Sequence, residues 1–151
     1  MKSQEPINIL LVEDNPDHAE LLRRLFQSYL VKNVFCHVED GEQAIAYLNR
    51  EGKYADAQRY PYPDLILLDL RLPRVDGFQV LEHIKTSPRH RHLVVVILTS
   101  SRDERDIQRA YQGYANSYLV KPINPNEMMD ALRYLGFYWL KWNVYASPLS
   151  N

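Results

Sequence analysis

At 151 residues the chain suits one domain with a complete hydrophobic core. Its 18 basic and 19 acidic side chains leave a net charge of −1, which offers no global attraction for nucleic acid or an anionic membrane surface. A single cysteine, Cys36, excludes an internal disulfide, and there is neither an apolar leader nor an apolar run long enough to span a bilayer. A soluble, cytoplasmic protein is expected.

Ile7-Asn8-Ile9-Leu10-Leu11-Val12 is an aliphatic strand pattern that ends in Glu13-Asp14. Asn15 supplies an N-cap oxygen and Pro16 a preset first helical residue, so a helix starts directly after the acids, with Leu22, Leu25 and Phe26 at helical spacing. Val34-Phe35-Cys36-His37-Val38 reads as a second strand, and Asp40 with Gln43 forms a capping-box pattern for the next helix. Residues 51–63 are polar, tyrosine-bearing and proline-stopped, the composition of a surface loop.

Leu65-Ile66-Leu67-Leu68 has the pattern of a strand buried on both faces, and it is broken by one carboxylate, Asp69. A buried strand has no packing use for an aspartate, so Asp69 belongs where the strand ends. Capping a loop is the plain alternative role. Turn residues through Asp76-Gly77 lead into a helix carrying Val80, Leu81 and Ile84. Val94-Val95-Val96-Ile97-Leu98 is a fourth strand closed by Thr99-Ser100. Ser101 with Glu104 is read as another capping box, opening a helix with Ile107, Ala110, Tyr111 and Tyr114 as its stripe. Ser117-Tyr118-Leu119-Val120 is a short fifth strand before Lys121-Pro122, and Asn124-Pro125 opens the last helix.

Strict alternation of five strands and five helices implies right-handed crossovers and a parallel sheet covered on both faces. All strand C-termini then share one edge, which gathers Glu13, Asp14, Asp69, Thr99 and Lys121. Crowded carboxylates raise at least one pKa unless a cation intervenes, and a small all-oxygen ligand set suits Mg2+. A lysine and a hydroxyl on the facing rim can hold phosphoryl oxygens, with a carboxylate as nucleophile.

This ordered set, Glu13-Asp14, Asp69, Asp76-Gly77, Thr99-Ser100 and Lys121-Pro122, resembles the receiver domain of two-component response regulators, from about Ile7 to Tyr134. The resemblance implies a flavodoxin-like doubly wound (βα)5 fold with strand order 2-1-3-4-5. It makes Asp69 the phosphoacceptor. Asp14 becomes a direct Mg2+ ligand, Glu13 one acting through water, and the Arg71 backbone carbonyl a further ligand. Thr99 and Lys121 would hold the phosphoryl group, Tyr118 would be an aromatic switch, and Pro122 a cis-proline. From spacing alone Tyr118 reads equally as strand packing. His83, His90 and His92 lack a carboxylate or cysteine at ligand spacing and are read as surface histidines, and Arg89 to His92 as a solvated turn.

Residues 51–63 lengthen the usual receiver pattern and are expected to rim the phosphorylation face. Beyond the core of about 7–135 runs an aromatic extension, about 136–151. Tyr134, Phe137, Tyr138, Trp139 and Trp142 cannot all lie on one docked face, so a homodimer through the last strand, last helix and tail is expected. A tail folded back on its own domain is the alternative. Loop and tail together resemble the stand-alone regulators that accompany cyanobacterial phytochrome histidine kinases, which makes a sensor histidine kinase, with a phytochrome as candidate, the expected partner. Too few residues follow the last helix for an output domain, so no enzyme activity is expected beyond the chain's own phosphorylation and dephosphorylation. Two other readings stand beside this one. A phosphorylation-independent dimeric module of the same fold would need none of the acids. A flavodoxin-like nucleotide or flavin binder would want a phosphate loop where Glu13-Asp14-Asn15-Pro16 stands.

Overall fold

The computed structural model describes residues 5–29, 31–121 and 124–146, so the expected cis-proline, Pro122, lies outside the described residues. Five strands form one sheet: β1 (Ile7–Val12), β2 (Asn33–Val38), β3 (Leu65–Leu68), β4 (Val94–Thr99) and β5 (Ser117–Val120). Their order is β2-β1-β3-β4-β5 and every pairing is parallel, as the alternation of elements requires. The intervening helices are α1 (Pro16–Gln27), α2 (Gly41–Leu48), α3 (Gly77–Thr86), α4 (Glu104–Gln112) and α5 (Pro125–Gly136).

The aliphatic runs alternate between two cores, one on each face. Leu10, Val12, Ile66, Leu68, Val95 and Ile97 meet Ala44, Leu48, Val80, Leu81 and Ile84 of α2 and α3. Ile9, Leu11, Leu65, Leu67, Val96 and Leu98 meet Leu22, Leu25 and Phe26 of α1 and Met128 and Leu135 of α5. Each such large side chain contributes roughly 1.5–3 kcal/mol by leaving water, which is why continuous aliphatic runs occupy the three central strands.

Most helix starts follow the sequence signals. Asn15 Oδ1 accepts from the Asp17 and His18 amides, Asp40 accepts from the Gln43 amide, and Asp76 with Gln79 closes a reciprocal capping box. The α4 start differs. Asp103 is its cap, accepting from the Arg105 amide, while the Ser101 hydroxyl donates to Asp106 instead. The expected α4 stripe also shortens, because Ala110 is buried whereas Tyr111 and Tyr114 are exposed.

Two expectations about loops are overturned. Residues 51–63 precede β3 and lie at the N-terminal edge of the sheet, opposite Asp69. The Asn8 side chain donates to the Tyr62 carbonyl and the Asp64 amide to the Asn8 carbonyl, so the loop is tied to the start of β1. It does not rim the phosphorylation face, because in a parallel sheet an αβ loop must return to that opposite edge. It is a surface loop, as expected, but an ordered one. It carries a 3-10 turn (Gly52–Ala55), and its Tyr54 is buried in a ring cluster with Tyr47 and Tyr60.

His90 is the second correction. It is buried at 2% exposure, its Nδ1 lying 2.6 Å from the Tyr62 hydroxyl and its Nε2 3.3 Å from Asn49 Oδ1. The aromatic 51–63 segment covers it, which the basic neighbourhood of the sequence did not suggest.

The tail continues α5 as a π-helical turn, Phe137–Trp142. Leu140 is buried, and Trp139 and Tyr145 pack against the α1/α5 core, the Tyr145 hydroxyl donating to the Trp139 carbonyl. Tyr134, Phe137, Tyr138 and Trp142 remain exposed. The aromatic extension thus divides between the two expectations: part folds back, part faces solvent. Among the described residues, no helix is long and apolar enough to cross a membrane.

Candidate phosphoacceptor site

Strand register places the site. Val12 pairs with Leu68 across β1 and β3, so Glu13 and Asp69 are the first residues beyond the paired ends. The Asp69 amide donates to the Val12 carbonyl and the Lys121 amide to the Thr99 carbonyl, holding the strand exits together. Gly77 admits this geometry, since a Cβ there would stand 2.2 Å from the Asp69 carbonyl oxygen. Glu13, Asp69, Thr99 and Lys121 are all buried, whereas Asp14 is exposed.

The Lys121 ammonium pairs with Glu13 Oε1 and lies 3.3 Å from Asp69 Oδ2. Asp69 Oδ1 accepts from the Arg71 amide at 3.3 Å. Arg71 contributes here through its backbone, while its guanidinium reaches outward to Asp106. Tyr118 is half-buried, with its hydroxyl donating to the Ser101 carbonyl at 3.0 Å.

The two buried acids divide their charge. Burial, followed by the neighbouring Asp69, pushes Glu13 up to about 8 against the opposing pull of Lys121. Burial would also raise Asp69, but Glu13, Lys121, the Arg71 amide and the Thr99 hydroxyl outweigh it and hold Asp69 below the usual carboxylate range. Asp69 is therefore the ionised member of the pair.

Oxygen atoms of Glu13, Asp14 and Asp69 lie within 4.8 Å of one another, a set able to hold a metal ion. Glu13 Oε2 is buried without a hydrogen-bond partner, an orphaned oxygen that a hydrated cation held by the trio would satisfy. Three carboxylates and no nitrogen or sulfur donor suit a hard divalent ion.

His18 was not anticipated. From the first turn of α1 its Nδ1 stands 3.1 Å from both Glu13 Oε1 and Lys121 Nζ, and burial, then Lys121, depresses its pKa. Its place in the first turn of the helix that follows the acids was the available signal.

Residues 9–133 match the family model of the response regulator receiver domain. This chain belongs to the response regulator receiver family. The receiver is 38% identical over 148 residues to the probable methanogenesis regulatory protein FilR2 of Methanothrix harundinacea, covering 98% of this chain and 93% of that protein. It is 34% identical over 140 residues to the response regulator Rcp1 of Synechocystis, covering 93% of each. The Mn(2+)-bound structure of Rcp1 superposes with a TM-score of 0.89 at 33% identity, over 94% of this chain and all 100% of that one. The phosphorylated cyanobacterial phytochrome response regulator RcpA does so with a TM-score of 0.89 at 37% identity, over 94% and 99%. The receiver is thus similar, in fold and along nearly its whole length, to response regulators of cyanobacterial phytochrome systems.

Proposed function

We propose that the receiver accepts a phosphoryl group from a sensor histidine kinase onto Asp69 and signals by phosphorylation-dependent protein binding. The observation that carries this reading is the Asp69 carboxylate, 3.3 Å from the Lys121 ammonium on one side and grouped on the other with Asp14 and Glu13, whose buried Oε2 has no hydrogen-bond partner. A bound divalent ion, Mg2+ in this reading, neutralises charge on the phosphoryl oxygens. Asp14 and Asp69 would hold it directly, Glu13 through water, with the Arg71 carbonyl as a further ligand.

An Asp69 oxygen attacks phosphorus as the donor's phosphorus–nitrogen bond breaks and the imidazole leaves with the electron pair. Lys121, already within reach of Asp69 Oδ2, pairs with a phosphoryl oxygen. The buried Thr99 hydroxyl donates to another, and its movement would bias the Tyr118 ring and the exposed face nearby. The chain's chemistry acts on itself alone. In this reading it is a cytoplasmic signalling protein that engages neither nucleic acid nor membrane.

The likeness to Rcp1 and RcpA supports a phytochrome-type kinase as the partner. A homodimer through β5, α5 and the tail is supported by Tyr134, Phe137, Tyr138 and Trp142, large rings left in water on one short segment. Trp139, packed on the core, would support that face from behind.

Intact mass after incubation with a small phosphodonor and Mg2+ tests the central claim. One phosphoryl adduct is expected for wild type and none for Asp69→Asn. A folded wild type without an adduct would favour the phosphorylation-independent dimeric module.

A further inference from the structure

Ser101, between β4 and α4, is the crossing point of four hydrogen bonds. Its hydroxyl donates to Asp106 Oδ2 at 2.6 Å and accepts from the Asp103 amide at 3.3 Å. Its own amide donates to Thr99 Oγ1 at 3.5 Å, and its carbonyl accepts from the Tyr118 hydroxyl at 3.0 Å. One residue therefore touches both Thr99 and Tyr118, and its side chain is anchored by an acid on α4.

The bond to Asp106 is short and ends on a carboxylate, the stronger class of hydrogen bond, and it selects one of the staggered positions open to a serine side chain. Asp106 Oδ2 also lies 3.5 Å from Arg71 Nη2, but that guanidinium is exposed to water, which leaves the ion pair weak. A threonine hydroxyl has one proton and two lone pairs. With the Ser101 amide on one lone pair, the proton of Thr99 is free to point toward Asp69.

We propose that Asp106 is a positioning residue for phosphoryl acceptance. Acting through Ser101, it aims the Thr99 hydroxyl at the group arriving on Asp69. The proposal rests on Asp69 being the phosphoacceptor, and it adds a residue on α4 that touches none of the reacting atoms.

The test measures the rate of adduct formation with acetyl phosphate and Mg2+ for wild type, Asp106→Ala, Asp106→Asn, Ser101→Ala and the Ser101→Ala/Asp106→Ala pair. Asp106→Ala should slow the reaction about three- to tenfold, the scale of one lost hydrogen bond. Asp106→Asn keeps an acceptor for Ser101 and should stay within about twofold of wild type. In the Ser101→Ala background, Asp106→Ala should have no further effect. Equal rates for wild type and Asp106→Ala overturn the proposal. So does an additive loss in the double variant, or an Asp106→Asn as slow as Asp106→Ala, which would place the effect on Arg71. A wild type that forms no adduct overturns the phosphoacceptor reading itself, and this proposal with it.

Discussion

Lys121 Nζ lies 3.3 Å from Asp69 Oδ2, although 52 residues separate the two in the chain. The exits of two parallel strands, β3 and β5 on either side of β4, bring them together, and the same ammonium also pairs with Glu13. One buried cation thus serves two buried acids, only one of which is held in its ionised form.

That division predicts an unusual response to losing the lysine. Removing one partner of a buried ion pair typically costs about 3–5 kcal/mol, because the other charge is stranded. Here Glu13, pushed up to about 8, is already neutral, so only Asp69 loses its cation, and the Arg71 amide still holds that carboxylate. Lys121→Met should fold with a loss nearer about 1–2 kcal/mol, while adduct formation falls roughly tenfold or more. Urea unfolding beside the intact-mass assay checks both halves. An unfolded variant would contradict the protonation of Glu13.

Metal binding should appear as stability. A divalent ion that binds only the folded chain adds about 2.7 kcal/mol at a hundred times its dissociation constant. The thermal midpoint should rise as Mg2+ is added, and Asp14→Ala, which removes the exposed member of the trio, should abolish most of that rise. The same upward shift in the variant would mean the ion binds elsewhere.

His90 sets a pH dependence remote from the site. Burial, then Arg89 and the other histidines, pushes it down to about 4, so the unfolded chain binds a proton there more readily than the folded one. Stability from this residue is complete above the unfolded value near 6.5 and is lost as pH falls from there through about 4. The full loss is on the order of 3 kcal/mol. Denaturant midpoints from pH 7 to 4 should fall more steeply for wild type than for His90→Gln. Parallel curves would show that His90 is not the group responsible.

The exposed tail rings predict an assembly that mutation can dissolve without unfolding the chain. Tyr134→Ser with Trp142→Ser removes two exposed side chains and leaves Leu140, Trp139 and Tyr145 on the core. Light-scattering mass should drop from dimer to monomer, with the thermal midpoint nearly unchanged. A wild type that is already monomeric at micromolar concentration would rule out the dimer.

The fold and the roster of the site are written locally in this chain. Each aliphatic run from Ile7 to Val120 gives way to a polar residue at the strand's C-terminal end, so Glu13, Asp69, Thr99 and Lys121 are legible in the sequence. Asn15 and Asp76 likewise announce their helices through bonds spanning three residues or fewer.

Partnership across the chain is a different kind of information. Whether Glu13 or Asp69 keeps its proton depends on a lysine more than fifty residues away from either and on the depth to which each is buried. The burial of His90 under Tyr62, the reach of His18 into the acid pocket, and the return of Trp139 to the core while Trp142 stays in water all follow from packing between distant elements. Sequence alone determined which residues arrive at the C-terminal edge of the sheet. Only the tertiary structure decided how they share charge, because desolvation and Coulomb interaction depend on distances that no local pattern records.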